Sequence, residues 1–102
     1  MLKHCVFAKI KDDSPQGEVD RILNGFGTLV GEVAGMTDYC HGPNRDFENK
    51  SAEYRFGFIC TFKDRAAHLA YETHPTHQHL GAALCDISTG GYDGITVFDL
   101  EV

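Results

Sequence analysis

Two hydrophobic periods alternate along this chain, and the switches between them mark its elements. Leu2 to Ile10 is β-rich and places Leu2, His4, Val6 and Ala8 on one face of a predicted strand. The period then lengthens. Val19, Ile22, Leu23, Phe26, Leu29 and Val30 recur at intervals of three and four, which predicts a helix running toward Gly31 with Ser14 as N-cap and Pro15 as its first helical residue. Met36 to His41 and Glu53 to Phe62 read as strands, the second carrying Tyr54, Phe56, Phe58, Cys60 and Phe62 on one face. Asp64 caps a short predicted helix through Tyr71. Pro75 interrupts it, because the residue before a proline is pushed out of helical geometry, and then opens a second helical piece with Leu80, Ala83, Leu84 and Ile87 as its stripe. Gly94 to Val102 is the last strand. The cuts fall at turn-forming clusters: Asp12-Asp13-Ser14-Pro15, Gly35, Gly42-Pro43-Asn44 and the glycine-rich run from Ser88 to Gly94.

The resulting order, β-α-β-β-α-β, predicts a single α+β domain over residues 1–102. It is the split βαβ arrangement of ferredoxin-like sheets, in which right-handed crossovers put both helices on one face of a four-stranded antiparallel sheet. The other face is then bare. Yet Val6 and Phe7, Phe58 and Ile59, and Val97 and Phe98 are adjacent apolar pairs, so apolar side chains point both ways from the strands. With no chain left to cover the second face, a second copy is the economical cover, which predicts a homodimer packed sheet to sheet as a dimeric α/β barrel.

Composition narrows the partners. The chain has 102 residues, 42% of them hydrophobic, and 9 Lys and Arg against 15 Asp and Glu, for a net charge of −6. That balance argues against nucleic acid as a partner. Residues 66–102 carry no Lys or Arg but hold Glu72, Asp86, Asp93, Asp99 and Glu101, so a strongly anionic ligand finds little cationic help there. No apolar run is long enough to span a membrane, and the first residues lack the pattern of an export signal, which predicts a cytoplasmic protein without a membrane partner. Cys5, Cys40, Cys60 and Cys85 form no C-x-x-C pair and read as free thiols, Cys5 and Cys60 as small hydrophobes within strands.

The sharpest chemical feature is a histidine cluster, His68, His74, His77 and His79, in and around Tyr71-Glu72-Thr73-His74-Pro75-Thr76-His77. A metal site on His74 and His77 is disfavoured, because His74 lies at a cap, His77 and His79 diverge on the helix, and no cysteine stands beside them; haem rests on histidine supply alone. No metal or cofactor is expected. His77 and His79 flank the apolar stripe on opposite sides, and His77 has Gly81 one turn on, which leaves space over its ring. A half-buried imidazole beside a gap suits a general base, and Tyr71 is the nearest hydroxyl able to orient a carbonyl. His4 shares its strand face with core residues, where a lone histidine is usually a packing residue.

The opening Leu2-Lys3-His4-Cys5-Val6-Phe7, the Gly42-Pro43-Asn44 turn, Ile59-Cys60-Thr61-Phe62 and above all Tyr71-x-x-His74-Pro75-x-His77 resemble the stress-responsive A/B barrel (Dabb) domain across nearly the whole chain. The resemblance implies a ferredoxin-like protomer that pairs into a dimeric α/β barrel. It also implies a candidate chemistry, since the plant olivetolic acid cyclase of this family performs a cofactor-free aldol cyclisation. Its catalytic histidine and tyrosine match His77 and Tyr71, and its first-strand histidine matches His4. Two positions depart from that enzyme: Glu72 stands where it has an apolar residue, and Phe56 where it has a histidine. A carboxylate beside the pocket disfavours an anionic or oily substrate.

Two readings follow. One is a small cofactor-free enzyme in which His77 removes a proton next to a carbonyl of an apolar small molecule and Tyr71 stabilises the enolate oxygen, with cyclisation, isomerisation or decarboxylation fitting equally. The other is a non-catalytic homodimer, stress-related or binding a small ligand, in which the same residues pack or bind. An enclosed cleft with both side chains facing in favours the first.

Overall fold

A computed structural model describes residues 1–102. Four strands, β1 (Leu2–Ala8), β2 (Met36–Pro43), β3 (Phe56–Phe62) and β4 (Ile95–Glu101), form one antiparallel sheet in the order β2-β3-β1-β4. Three helices, α1 (Gln16–Gly27), α2 (Arg65–Thr73) and α3 (Pro75–Asp86), cover one face of it. The predicted ferredoxin-like order is therefore the observed one, with the second helix split at Pro75.

The helices form where the sequence period places them. Val19, Ile22, Leu23 and Phe26 of α1 are at most 2% exposed and pack on Val6, Ala8, Phe58, Cys60 and Phe62 of the central strands. Phe26 stacks on Phe58, ring centroids 4.7 Å apart. Gly25 admits Leu80 of α3, whose methyl carbons lie 2.9 Å from where a Cβ would stand, so α1 and α3 meet closely. Asp64 caps α2 as its position predicts, its side chain accepting the Ala67 N–H at 2.9 Å. His74 is held extended by the proline after it, and its Nδ1 accepts the Thr76 N–H at 3.1 Å; one residue thus ends α2 and caps α3.

Three boundaries differ from the sequence reading. Helix α1 starts at Gln16, because Pro15 is the extended cap residue (ψ 135°) whose carbonyl receives the Glu18 and Val19 N–H groups; no side chain caps this end. β3 starts at Phe56 instead of Glu53, since the Asn44 amide donates to the Ser51 and Tyr54 carbonyls and holds that stretch as a loop. β2 runs through Gly42 and Pro43, where a turn is expected. It is an edge strand, and proline is tolerated there because the missing N–H interrupts no ladder on the outer side.

The second face of the sheet carries Phe7, Cys40, Ile59, Phe98 and Leu100, the last two 58% and 55% exposed. Gly57 lies under Phe7 on this face. A Cβ at Gly57 would stand 2.5 Å from the phenyl ring, so glycine is what lets Phe7 lie flat across the neighbouring strand.

Candidate active site

A cleft of about 780 Å³ opens where α2 and α3 leave β4 uncovered, on the helix side of the sheet. His4, Tyr71, Glu72 and His77 are among its polar lining residues, and Gly81 and Val97 form part of its walls. The three residues singled out in the sequence thus meet in one cleft.

His77 stands in the first turn of α3. Its Nδ1 lies 3.1 Å from the Glu72 carbonyl, which can only accept a hydrogen bond. Nδ1 therefore carries the proton, and Nε2 is left as the basic nitrogen. Burial holds the imidazole below its ordinary pKa, so it is neutral at physiological pH. A Cβ built on Gly81 meets nothing within 4 Å, which is the space the sequence suggested.

Tyr71, the seventh residue of α2, is fully buried, with its ring centroid 4.3 Å from that of His77. Its hydroxyl receives only the long contact of the Cys60 thiol, 3.7 Å, so its own proton is free to be donated. Burial drives the phenol far above its ordinary pKa and the Cys60 thiol up to about 12. Both stay protonated.

His4 comes from the centre of β1, between Cys60 of β3 and Asp99 of β4. Its Nδ1 lies 2.6 Å from the Asp99 carboxylate, which again fixes the proton on Nδ1. Its ring meets Tyr71 edge on, centroids 5.8 Å apart, and lines the cleft.

Two residues of this network escape the sequence reading. Asp99 looks like one more acid in an acidic tail until strand register places it opposite His4. His68 is 3% exposed and packs its ring 4.5 Å from that of His4; its one signal is position, three residues before Tyr71 on the buried face of α2. The Arg65 guanidinium donates to His68 Nδ1. Its Nε2 lies 3.2 Å from the Glu72 carboxylate but off the line of a hydrogen bond. Burial, followed by the neighbouring His4, lowers the His68 pKa. Of the other clustered histidines, His74 is a cap whose Nε2 faces Glu32 at 3.1 Å, and His79 is exposed outside the cleft.

One group could hold a metal: ring nitrogens of His4 and His68 and a carboxylate oxygen of Asp99 lie within 4.8 Å of one another. The fit is poor. Asp99 is engaged by His4, and the Arg65 cation touches His68, opposing a second cation. No helix is long and apolar enough to cross a membrane.

A four-stranded antiparallel sheet with its helices on one face and a histidine-tyrosine cleft beside its edge strand defines an α+β protein of ferredoxin-like fold. The family model described as the stress responsive A/B barrel domain matches residues 2–102, and the chain belongs to that family. It is similar to an Arabidopsis thaliana protein named as a stress-response A/B barrel domain-containing protein, 28% identical over 99% of this chain and 86% of that one. Among solved structures it is similar to a dimeric ferredoxin-like protein of unknown function from Jannaschia sp. CCS1, 46% identical, with a TM-score of 0.86 over 99% of this chain and 98% of the other. A hydroxynitrile lyase from Passiflora edulis shares the fold at 17% identity, TM-score 0.81, covering 99% and 92% of the two chains.

Proposed function

We propose that this protein is a homodimeric, cofactor-free enzyme that enolises an apolar carbonyl compound in the cleft. The observation that carries the reading is the fixed tautomer of His77, a neutral imidazole with Nε2 basic, beside a buried tyrosine that stays protonated and has its own proton free to donate. His77 Nε2 takes a proton from the carbon next to the carbonyl. The C–H electron pair becomes the enolate double bond, the carbonyl pair moves onto oxygen, and the Tyr71 hydroxyl donates a hydrogen bond to that oxygen. The imidazolium then returns the proton to carbon, or the enolate attacks a second carbonyl whose oxygen takes the proton. Either course balances with no oxidant or reductant. His4, oriented by Asp99, supplies a second nitrogen from the sheet side.

Dimerisation would cover the opposite face of the sheet and leave the cleft open. Phe98 and Leu100, each still more than half exposed, argue for it, since burying the rest of each side chain contributes roughly 1 kcal/mol or more. The Jannaschia relative is described as dimeric.

The test uses benzylacetone in deuterated water, with exchange of the protons beside its carbonyl followed by NMR. Catalysed exchange that is lost in His77→Ala at unchanged melting temperature supports the reading. Exchange no faster than in buffer, or surviving in His77→Ala, sinks it in favour of a non-catalytic ligand-binding dimer, which the full burial of Tyr71 against Cys60 would suit.

A further inference from the structure

The charge of the cleft is unbalanced in one direction. None of its lining residues is Lys or Arg, while Glu72 and Asp93 both face it. Asp99 stands directly behind His4, adding a third carboxylate within the same wall. The Arg65 cation lies behind Glu72, 3.6 Å away, and offsets one of the three charges. His77 and His68 are held neutral by burial.

Glu72 has two neighbours on its own helix. Arg65 holds one carboxylate oxygen at 3.6 Å, and the buried His68 approaches the same oxygen at 3.2 Å. Arg65 also donates to His68 Nδ1, so the proton of that imidazole sits on Nε2, facing the carboxylate. Arginine, histidine and glutamate therefore lie together along a single face of α2, at positions 65, 68 and 72.

We propose that the substrate of this cleft is a non-anionic carbonyl compound, and that Glu72, on the cleft wall beside His77, is the residue that excludes carboxylates. The inference rests on the cleft being the binding site and narrows the apolar carbonyl class of the preceding section. A carboxylate entering beside His77 would meet Glu72 and Asp93 with no Lys or Arg in the cleft lining to pair with, in a partly apolar space where like charges are poorly screened. A ketone of the same shape loses only weak hydration and gains the Tyr71 donor.

Benzylacetone and hydrocinnamate share a phenylethyl body and differ in ending as methyl ketone or carboxylate, so titrating both into the intact protein by calorimetry isolates the charge. The ketone is expected to bind at least about tenfold more tightly. Glu72→Gln should narrow that ratio several-fold by improving hydrocinnamate binding. Asp93→Asn should narrow it less, and because its side chain takes no part in the contacts with Arg65 and His68 it serves if Glu72→Gln loses stability. Equal or tighter binding of hydrocinnamate, or a ratio unchanged in both variants, overturns the proposal. Ketone binding without proton exchange would sink the enzyme reading alone and leave the selectivity standing, whereas binding of neither probe would sink both.

Discussion

The His4 imidazole and the Asp99 carboxylate meet at 2.6 Å because they are register partners on neighbouring strands, on the side of the sheet facing the helices. The pairing fixes the proton of His4 on Nδ1 and turns Nε2 toward the remaining space. Asp99→Asn should keep the fold, since the position is part-exposed at the sheet edge, while offering Nδ1 a donor as readily as an acceptor. Exchange of the benzylacetone protons should fall about 10- to 1000-fold, as for loss of one orienting or donating group. An unchanged rate with an unchanged melting temperature would remove His4 and Asp99 from the site.

His77 and Tyr71 should separate by size of effect. His77→Ala is expected to abolish turnover with a small loss of stability, because the ring is half-exposed and its one hydrogen bond goes to a backbone carbonyl. Tyr71→Phe keeps the ring in its buried place and removes only the donor, so the rate should drop on the order of 10- to 1000-fold. Thermal melts beside the exchange assay decide: activity that follows the folded fraction in both variants would make them packing residues.

Acid should destabilise the protein through its buried histidines. His68 and His77 both have folded-state pKa values below the ordinary one, so the unfolded chain takes up these protons first. Their contribution is complete above the ordinary histidine value of about 6.5 and is lost as pH falls from there through the lowered values. Urea melts between about pH 7.5 and about pH 5 should show stability falling toward acid, with a shallower fall in His68→Leu. A slope identical in the variant would assign the acid sensitivity elsewhere. The pH–rate profile should rise with a midpoint below that ordinary value as His77 is freed of its proton.

The bare face of the sheet predicts the assembly. Ile59 lies between Cys5 and Cys40 on this face, and Ile59→Lys would place a charge where a second copy is expected to pack. Sedimentation at micromolar concentration should give twice the 11.3 kDa chain mass for the native protein and a monomer or unfolded chain for the variant, since an unpaired buried charge costs several kcal/mol. A native protein that sediments as a stable monomer would rule the barrel out.

The His4–His68–Asp99 group calls for a metal analysis. Protein purified without a histidine tag is expected to carry no stoichiometric metal, because Arg65 already sets a positive charge against His68. One equivalent per chain, lost in His68→Leu, would show that the guanidinium swings aside for a cation.

Much of the architecture is written in local patterns. The spacing of Val19, Ile22, Leu23 and Phe26 determined α1, and the alternation from Phe56 to Phe62 determined β3, because each element must bury one stripe or face. Pro75 determined the break between α2 and α3 through the steric demand it puts on His74. The doubling of apolar residues at Val6 and Phe7 announced a sheet with two faces to cover. His77 and Tyr71 were legible too, since they share one short run and Gly81 leaves visible room. What the sequence did not determine is everything that depends on pairing between distant segments. Asp99 joins His4 only when β4 lies in register against β1, 95 residues away in the chain. His68 meets His4 only when α2 lays it on that same histidine, and Glu72 comes to line the cleft beside His77 by the same docking. Even the ends of α1 and β3 were settled by pairs of hydrogen bonds, at Pro15 and Asn44, whose partners only the folded backbone brings within reach. Periodicity records which side of an element is buried; it carries no information about what lies opposite, and in this protein the candidate site is assembled from what lies opposite.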